Sequence, residues 1–358
     1  MYKGDKMKDI KKISIIILML VVGLVLGYVG FMIVTDYKPE AEVSISIENN
    51  QTKDINKQEE IKITTFNTGY SGIDQDIDFF MDGGTMSRAS SKDQVNNNLD
   101  SMIKEMKNLD SDVYFLQEVD KNSTRSYEIN QYEEYKKQFL EYEFMYSINY
   151  KVPWVPIPLS EPHGKVLSGI TTMSKYKIDN VVRYDLPGKE SFIRQLGDLD
   201  RCMMVSRKKL DNNKELVLIN AHLSAYDEGG KIRVQQLGFL EEFLNKEYEK
   251  GNYVILGGDF NQQIPGTSYT DFATTQEKPN WLQDIPQDFN PNGYTWAVDK
   301  NIATSRTIDV KYTKDENLLS IIDGFLISDN IEVVDVYGSD LGFENSDHNP
   351  VTVNIKLK

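Results

Sequence analysis

The sequence predicts a layered α/β domain with mainly antiparallel or mixed sheets, carried behind one transmembrane helix. Three observations predict it: an uncharged run near the amino terminus, many short apolar runs separated by turns after Ile61, and a few long helical patterns among them with no detectable repeat. Forty per cent apolar and 27% charged residues are ordinary globular values, so a chain of 358 residues can bury a full core.

The amino-terminal elements come first. Residues 1–12 form a basic tail, with Lys3, Lys6, Lys8, Lys11 and Lys12 against Asp5 and Asp9. Ile13 to Val34 carries no charge, and at about 1.5 Å per residue it spans roughly 33 Å, enough for a bilayer core. A cleaved signal peptide is the rival reading, but its apolar region usually runs only about 7–15 residues before a small-residue cleavage site. Here the run leaves through Phe31-Met32-Ile33-Val34-Thr35, with no Ala-x-Ala pattern and no cysteine for lipid attachment. Residues 13–35 are therefore read as an uncleaved anchor. The lysine-rich flank should stay cytoplasmic, giving a single-pass cell-membrane protein with its bulk outside the cell. Residues 36–60 are polar and charged and read as a flexible tether.

The texture changes at Ile61, where a domain covering residues 61–358 begins. Strands are expected at Ile61–Phe66, Val113–Gln117, Ser168–Ser174, Cys202–Arg207, Leu216–Ala221, Tyr253–Gly257, Ile321–Ser328 and Val351–Lys356. The best helical patterns are Asp93–Leu109 and Gly230–Tyr248. The single cysteine, Cys202, excludes an internal disulfide and a cysteine-rich metal site, and is compatible with a bacterial surface. A formal charge of −15 argues against a protein that sheathes a phosphate backbone non-specifically. Acidic nucleases exist, because a bound metal supplies local positive charge, so nucleic acid is disfavoured rather than excluded.

Several expected strands end in an acidic, amide or histidine side chain. Thr65-Phe66 leads to Asn67, Leu116-Gln117 to Glu118, Asn220-Ala221 to His222, and Gly257-Gly258 to Asp259-Phe260-Asn261. Ile321-Ile322 leads to Asp323, and Ser346 precedes Asp347-His348. A buried strand that terminates in a charge is costly unless the charge is paired or binds metal, and rigid strand ends can hold a constellation accurately. Each signal alone has a plainer reading: a solvated edge residue for Glu118, a structural imidazole for His222, a turn for Gly258-Asp259.

Their order changes the weight. Phe66-Asn67-Thr68, Leu116-Gln117-Glu118, Asn220-Ala221-His222-Leu223, Gly258-Asp259-Phe260-Asn261, Ile322-Asp323-Gly324-Phe325 and Ser346-Asp347-His348 resemble the successive motifs of the endonuclease/exonuclease/phosphatase (DNase I-like) superfamily. Ser168-Gly169-Ile170 to Ser174-Lys175-Tyr176 resembles its central strand motif, and the likeness runs from Ile61 to Lys358. The resemblance implies a four-layer α/β/β/α sandwich of two packed mixed sheets. It also implies a metal-dependent hydrolase of phosphoesters using Mg²⁺, with Mn²⁺ or Ca²⁺ as alternatives. By the same resemblance Glu118 is the principal metal ligand, with Asn67 and Asp347 beside it. Asp259 would deprotonate the attacking water and Asn261 would hold that water or a phosphate oxygen. His348 would donate to the phosphate with Asp323 fixing its tautomer, and His222 would contact the phosphate or assist the leaving group. Arg201 fits a family arginine near the site, its alternative being a surface salt bridge.

Other features stay open. His163 is either a substrate contact or a plain loop residue, and Cys202 reads as core rather than nucleophile. Asp74 to Ser90 follows the first motif as an extra loop, either a specificity element or an ordered insertion. Val152-Pro153-Trp154-Val155-Pro156-Ile157-Pro158-Leu159 either dips into a lipid interface through Trp154 or packs under neighbouring loops. Three functions compete: a surface phosphodiesterase acting on lipid headgroups or related phosphoesters, an extracellular nuclease with Arg88, Lys92, Arg194 and Arg201 as its loosely grouped cations, and a binding module on an inactive scaffold. No obligate protein partner is inferred.

Overall fold

The computed structural model describes residues 2–49, 53–55 and 59–358; residues 50–52 and 56–58 of the expected tether lie outside the described residues. Among the described residues, thirteen strands build two sheets: β1 (Glu42–Ser44), β2 (Ile61–Asn67), β3 (Val113–Asp120), β4 (Glu143–Val155), β5 (Gly164–Ser174), β6 (Asn180–Asp185), β7 (Cys202–Lys209), β8 (Glu215–His222), β9 (Tyr253–Asp259), β10 (Tyr294–Ala297), β11 (Asp323–Ser328), β12 (Ile331–Gly338) and β13 (Val351–Leu357). One sheet runs β1-β6-β7-β8-β9-β11-β10 and the other β12-β13-β2-β3-β5-β4.

Each of these sheets contains a single parallel pair among the described residues, β8 with β9 and β2 with β3; the other pairings are antiparallel. Parallel neighbours need a long crossover, and the crossover is usually a helix. Between β2 and β3 it is α2 (Lys92–Leu109), after the amino-terminal helix α1 (Tyr2–Thr35); between β8 and β9 it is α4 (Lys231–Glu249), α3 being the short helix Gln131–Gln138. The Ser91 hydroxyl caps α2 by accepting from the Gln94 amide (3.0 Å).

Strand residues divide between two apolar layers by simple alternation. Val113 and Phe115 of β3, and Leu216 and Leu218 of β8, meet in the core between the sheets. Val217 and Ile219 face Leu237, Leu240 and Leu244 of α4 instead, while Tyr114 and Leu116 face Leu99, Met102 and Met106 of α2. Both faces of these strands are buried, so they read as continuous apolar runs. The expected four-layer α/β/β/α sandwich is the observed fold.

The expected elements hold with end shifts of one to four residues, and four strands of the domain were not anticipated. β4 carries two register shifts, which break its apolar alternation. It also absorbs Val152, Pro153, Trp154 and Val155, so only the remainder of that apolar run is loop. β6, β10 and β12 are short or lie at or near a sheet edge.

The tether requires a correction. Glu42–Ser44 adds a strand to the edge of the first sheet, Glu48 bridges Phe144, and Lys53 bridges Tyr176. Ile45, Ile47 and Ile55 pack against the inter-sheet core. Half-buried isoleucines set among polar neighbours hold the segment to the domain surface. α1 reaches the domain as well: Met32 is buried, and the Tyr28 hydroxyl donates to the Trp154 carbonyl (2.9 Å). From Met7 to Thr35 the helix is long and apolar enough to cross a membrane.

Candidate active site

β2 and β3 run parallel in one sheet, β8 and β9 in the other, and the carboxyl ends of all four meet at one end of the sandwich. Pairing register then places the polar residues. His222 lies beside Asp259 across the parallel pair β8–β9, and Asp323 lies opposite Asp259 across the antiparallel pair β9–β11. Asn67 ends β2 beside Gln117 of β3, one residue before Glu118. The loop between β12 and β13 brings in Asp347 and His348 from the carboxyl-terminal end of the chain.

Two glycines permit this convergence. Gly258 has φ +149, and a Cβ there would fall 1.9 Å from the Ala221 carbonyl oxygen of the neighbouring strand. Gly69 has φ +48, and its Cβ would sit 2.7 Å from an Asp347 carboxylate oxygen. Gly258→Ala is expected to destabilise the fold by at least about 3 kcal/mol, because backbone rather than a yielding side chain occupies the space. Denaturant unfolding of the full chain measures it.

Asn67 ties the acidic groups together. Its amide nitrogen donates to Asp259 Oδ2 (3.0 Å) and Glu118 Oε1 (3.4 Å), and its Oδ1 accepts from the Gly69 amide (3.1 Å). In this orientation Asn67 serves the carboxylates as a donor. Asp259 also accepts from the Asn261 amide (2.8 Å), while the Asn261 side chain is held by the Leu223 carbonyl (2.9 Å). Burial raises the Asp259 pKa, the Asp323 charge adds to the shift, and His348 opposes it.

The two histidines sit in opposite electrostatic environments. His348 Nδ1 meets Asp323 Oδ2 at 2.8 Å, and His348 Nε2 lies 3.9 Å from Asp259 Oδ2. Burial disfavours its charged form, but Asp323, Asp259 and Asp347 together outweigh burial, and the net shift is upward. His222 Nε2 lies 3.5 Å from Asp259, and its Nδ1 is buried without a hydrogen-bond partner among the described residues. Burial, then the Arg201 and His348 charges, hold the His222 pKa well down.

Glu118 occupies a bulge in β3 between Leu116 and Val119, with φ +58. That left-handed backbone turns its side chain into the cavity. Burial raises its pKa; Arg125, 3.7 Å away, opposes the shift and the nearby Asp347 charge adds to it. Two carboxylates converging in a mostly buried site fit a hard divalent cation with oxygen ligands. Asp259, Asp323 and His348 also bring three candidate ligand atoms within 4.8 Å of one another, but the Asp323–His348 hydrogen bond already engages that imidazole.

Asn67, Glu118, His222, Asp259, Asn261, Asp347, His348, Arg201 and His163 all line one cavity of about 550 Å³. Arg201 Nη1 is buried without a partner among the described residues, a charged donor available to an anion's oxygen. His163 is engaged differently. Its Nδ1 lies 2.5 Å from the Ser87 carbonyl and its ring packs near Phe79 and Phe80, which pins the Asp74–Ser90 loop to the loop before β5. Burial then depresses its pKa to about 4. That extra loop lines the cavity with Phe79, Phe80, Met81 and Asp82, and Asp82 accepts from the Tyr226 hydroxyl (2.6 Å). Cys202 lies in the inter-sheet core with its thiol pKa pushed up by burial.

Sequence reasoning missed Arg125, Arg306 and Tyr70, which line the same cavity. Arg125 makes two hydrogen bonds to Asp120 (2.9 and 3.1 Å) and stacks on Tyr70 at 3.9 Å. The one available hint was Asp120, a second acidic residue two positions after Glu118 in an apolar strand. The loosely grouped cations do not form a basic groove. Arg88 donates to the Pro162 carbonyl (2.6 Å) and Arg194 lies 3.8 Å from Glu190.

The fold and the strand-end constellation define a phosphoester-hydrolase scaffold, and comparison with known proteins agrees. Residues 64–348 match the Endonuclease/Exonuclease/phosphatase family. The chain belongs to that family and is a metal-dependent hydrolase. Among solved structures it is similar to an endonuclease/exonuclease/phosphatase from Beutenbergia cavernae DSM 12333 (14% identity, TM-score 0.55, covering 83% of this chain and 72% of that one). ANGEL2, a 2′,3′-cyclic phosphatase, matches at 14% identity and TM-score 0.53, covering 87% of this chain and 98% of that one. A humanized D. rerio TDP2 matches at 12% identity and TM-score 0.51, covering 83% and 99%. No curated protein matches by sequence.

Proposed function

We propose that the chain is a membrane-anchored phosphodiesterase, displayed outside the cell, that hydrolyses lipid headgroups or related phosphoesters with Mg²⁺. The observation that carries this reading is that Tyr28, Val29 and Met32 of the anchor helix line the same cavity as Asp259 and His348. A catalytic cavity with the anchor as one wall suits a substrate that reaches it from the membrane. The formal charge of −15 supports the same choice over nucleic acid.

Glu118 and Asp347 would hold the metal, Mn²⁺ or Ca²⁺ being alternatives to Mg²⁺, with Asn67 setting the carboxylates. When bound, the metal would neutralise charge developing on the phosphate oxygens. Asp259, fixed by Asn67 and the Asn261 amide, would take the proton of the attacking water, and its raised pKa suits a base working near neutral pH. Asn261 would hold that water or a phosphate oxygen. The His348 imidazolium, oriented by Asp323, would donate to the phosphate, while Arg201 and neutral His222 offer buried, unpartnered nitrogens to its other oxygens. A bond from water oxygen to phosphorus forms as the ester bond breaks. The proton taken at Asp259 ends on the departing alkoxide, leaving a phosphomonoester and an alcohol.

The test is a substrate panel on the full chain in detergent and in vesicles, comparing phospholipids, sphingomyelin, plasmid DNA, RNA and bis-p-nitrophenyl phosphate. Headgroup release in Mg²⁺, absent from Asp259→Asn, is the expected result. Cleavage confined to nucleic acid would make the chain a tethered nuclease, and turnover of no diester would favour a binding module. Protease added to intact cells is expected to remove the domain; protection would reverse the topology.

A further inference from the structure

The rim of the cavity carries an apolar collar that the reaction itself does not require. Met81, Ile157 and Ile193 line the cavity and are exposed, as are Trp154, Leu159 and Phe192 beside them in sequence. Leu159 is 86% exposed and Phe192 61%. Single exposed apolar side chains need no explanation. These come from three separate segments (the loop after β2, the end of β4 with its following loop, and the short helix Phe192–Gln195), and each segment sends one of them, Met81, Ile157 or Ile193, into the wall of the same cavity.

The anchor helix fixes what covers the collar. Its uncharged run ends at Val34, and Asp36 is the first charge beyond it. Tyr28 bonds to the Trp154 carbonyl, and the seven residue steps from Tyr28 to Thr35 rise about 10 Å. With α1 spanning a bilayer, the Trp154 carbonyl lies at the level of the last turns of the apolar helix, within the outer leaflet. Tryptophan suits the outer part of that leaflet because its ring is apolar and its N–H can reach the wet interface. The collar is continuous with α1, since Val29 and Met32 share the cavity wall with Ile157 and Ile193.

We infer that the mouth of the active-site cavity is seated in the outer leaflet of the bilayer that α1 crosses, and that a phospholipid enters sideways along α1 with its acyl chains still in the leaflet. The inference rests on the membrane-phosphodiesterase reading and names the route its substrate takes. The phosphodiester reaches Asp259 and His348 while the collar stands in for the neighbouring lipids at the mouth. Since the segment after α1 is strapped to the domain by β1 and the Glu48 bridge, the cavity faces the membrane without a free swing.

The experiment uses the full chain in vesicles of phosphatidylcholine and phosphatidylglycerol with Mg²⁺. Brominated acyl chains are expected to quench a component of tryptophan emission that is missing from Trp154→Phe. The double variant Leu159→Ser/Phe192→Ser, outside the phosphate site, is expected to lose at least roughly tenfold in headgroup release from vesicles, since each side chain removes apolar area from the interface. Its turnover of water-soluble bis-p-nitrophenyl phosphate should stay within about twofold, less than 0.5 kcal/mol of change. An unquenched Trp154 would overturn the seating even if lipid is hydrolysed. Quenching with undiminished headgroup release by the double variant would overturn entry through the collar. A quenched Trp154 in an enzyme that hydrolyses no lipid would sink the substrate reading and leave the seating standing.

Discussion

Asp259→Asn is expected to lower kcat by about 10³-fold or more while leaving the fold intact, because the proposed mechanism gives this position the base chemistry and its burial is unfavourable to the charge. The replacement keeps the shape and one carbonyl oxygen for the Asn261 amide, now 2.8 Å from Asp259 Oδ1. What it removes is a group placed to take a proton while lying 3.5 Å from His222 and 3.9 Å from His348. The stability effect runs the other way. Asp259 has its pKa raised by burial and by Asp323, so the folded chain binds that proton more tightly than the unfolded chain does. Stability from this group is therefore present at low pH and is lost as pH rises from the ordinary carboxylate value through the raised folded one. At pH 8, in chelator, the asparagine variant should unfold at about the same denaturant concentration as the wild type, since removing the buried charge offsets the new meeting of its amide nitrogen with the Asn67 donor. Activity loss with equal or greater stability is the signature of a group held for chemistry rather than for the fold. Near-wild-type turnover, or a collapse in stability, would remove Asp259 from the role of base.

Much of this site was legible because strands announce their ends. Apolar runs such as Leu216–Ala221 and Tyr253–Gly257 must be buried on both faces, so a histidine or aspartate terminating one is anomalous from sequence alone. Reading those ends located Asn67, Glu118, His222, Asp259 and Asp323, and the Ser346-Asp347-His348 motif completed the set. The pairing register then decides which ends meet, and no local pattern encodes register across sheets. Arg125 was invisible for that reason: it sits in a short turn five residues after Asp120, and only the folded chain shows the two hydrogen bonds joining them. The strap formed by residues 36–49 failed differently. Its polar and charged residues read as solvated linker, yet Ile45 and Ile47 supply enough apolar area to hold it on the core. β4 was hidden by its own irregularity, since two register shifts erase the period of two by which strands are recognised.

Glu118→Gln and His348→Ala are expected to fail for different reasons, and separating them tests the division of labour in the cavity. Glu118 is held in a left-handed bulge conformation beside Asp347, with Arg125 the only cation among the described residues within salt-bridge distance of its carboxylate. Such a backbone costs on the order of 1 kcal/mol or more in a non-glycine residue, which the surrounding sheet must offset. On the proposed assignment, replacing its carboxylate by an amide would remove one of the two negative ligands, so Mg²⁺ affinity should fall by about 100-fold, measured by calorimetry on the full chain in detergent. Raising Mg²⁺ should restore part of its turnover. His348 is bound instead to Asp323 at 2.8 Å, with neither ring nitrogen free of carboxylate neighbours. Its removal should leave Mg²⁺ affinity within a fewfold and lower turnover by about 10³-fold at every metal concentration. A charge argument sharpens the contrast: removing the imidazolium leaves Asp323 and Asp259 facing each other without a cation between them. Asp323→Asn in the His348→Ala background should therefore recover stability without recovering activity, a non-additivity that two independent residues would not show. If His348→Ala instead lost Mg²⁺ as severely as Glu118→Gln, the imidazole would belong to the metal site, and the separation into a cation pole and a proton-handling pole would fall.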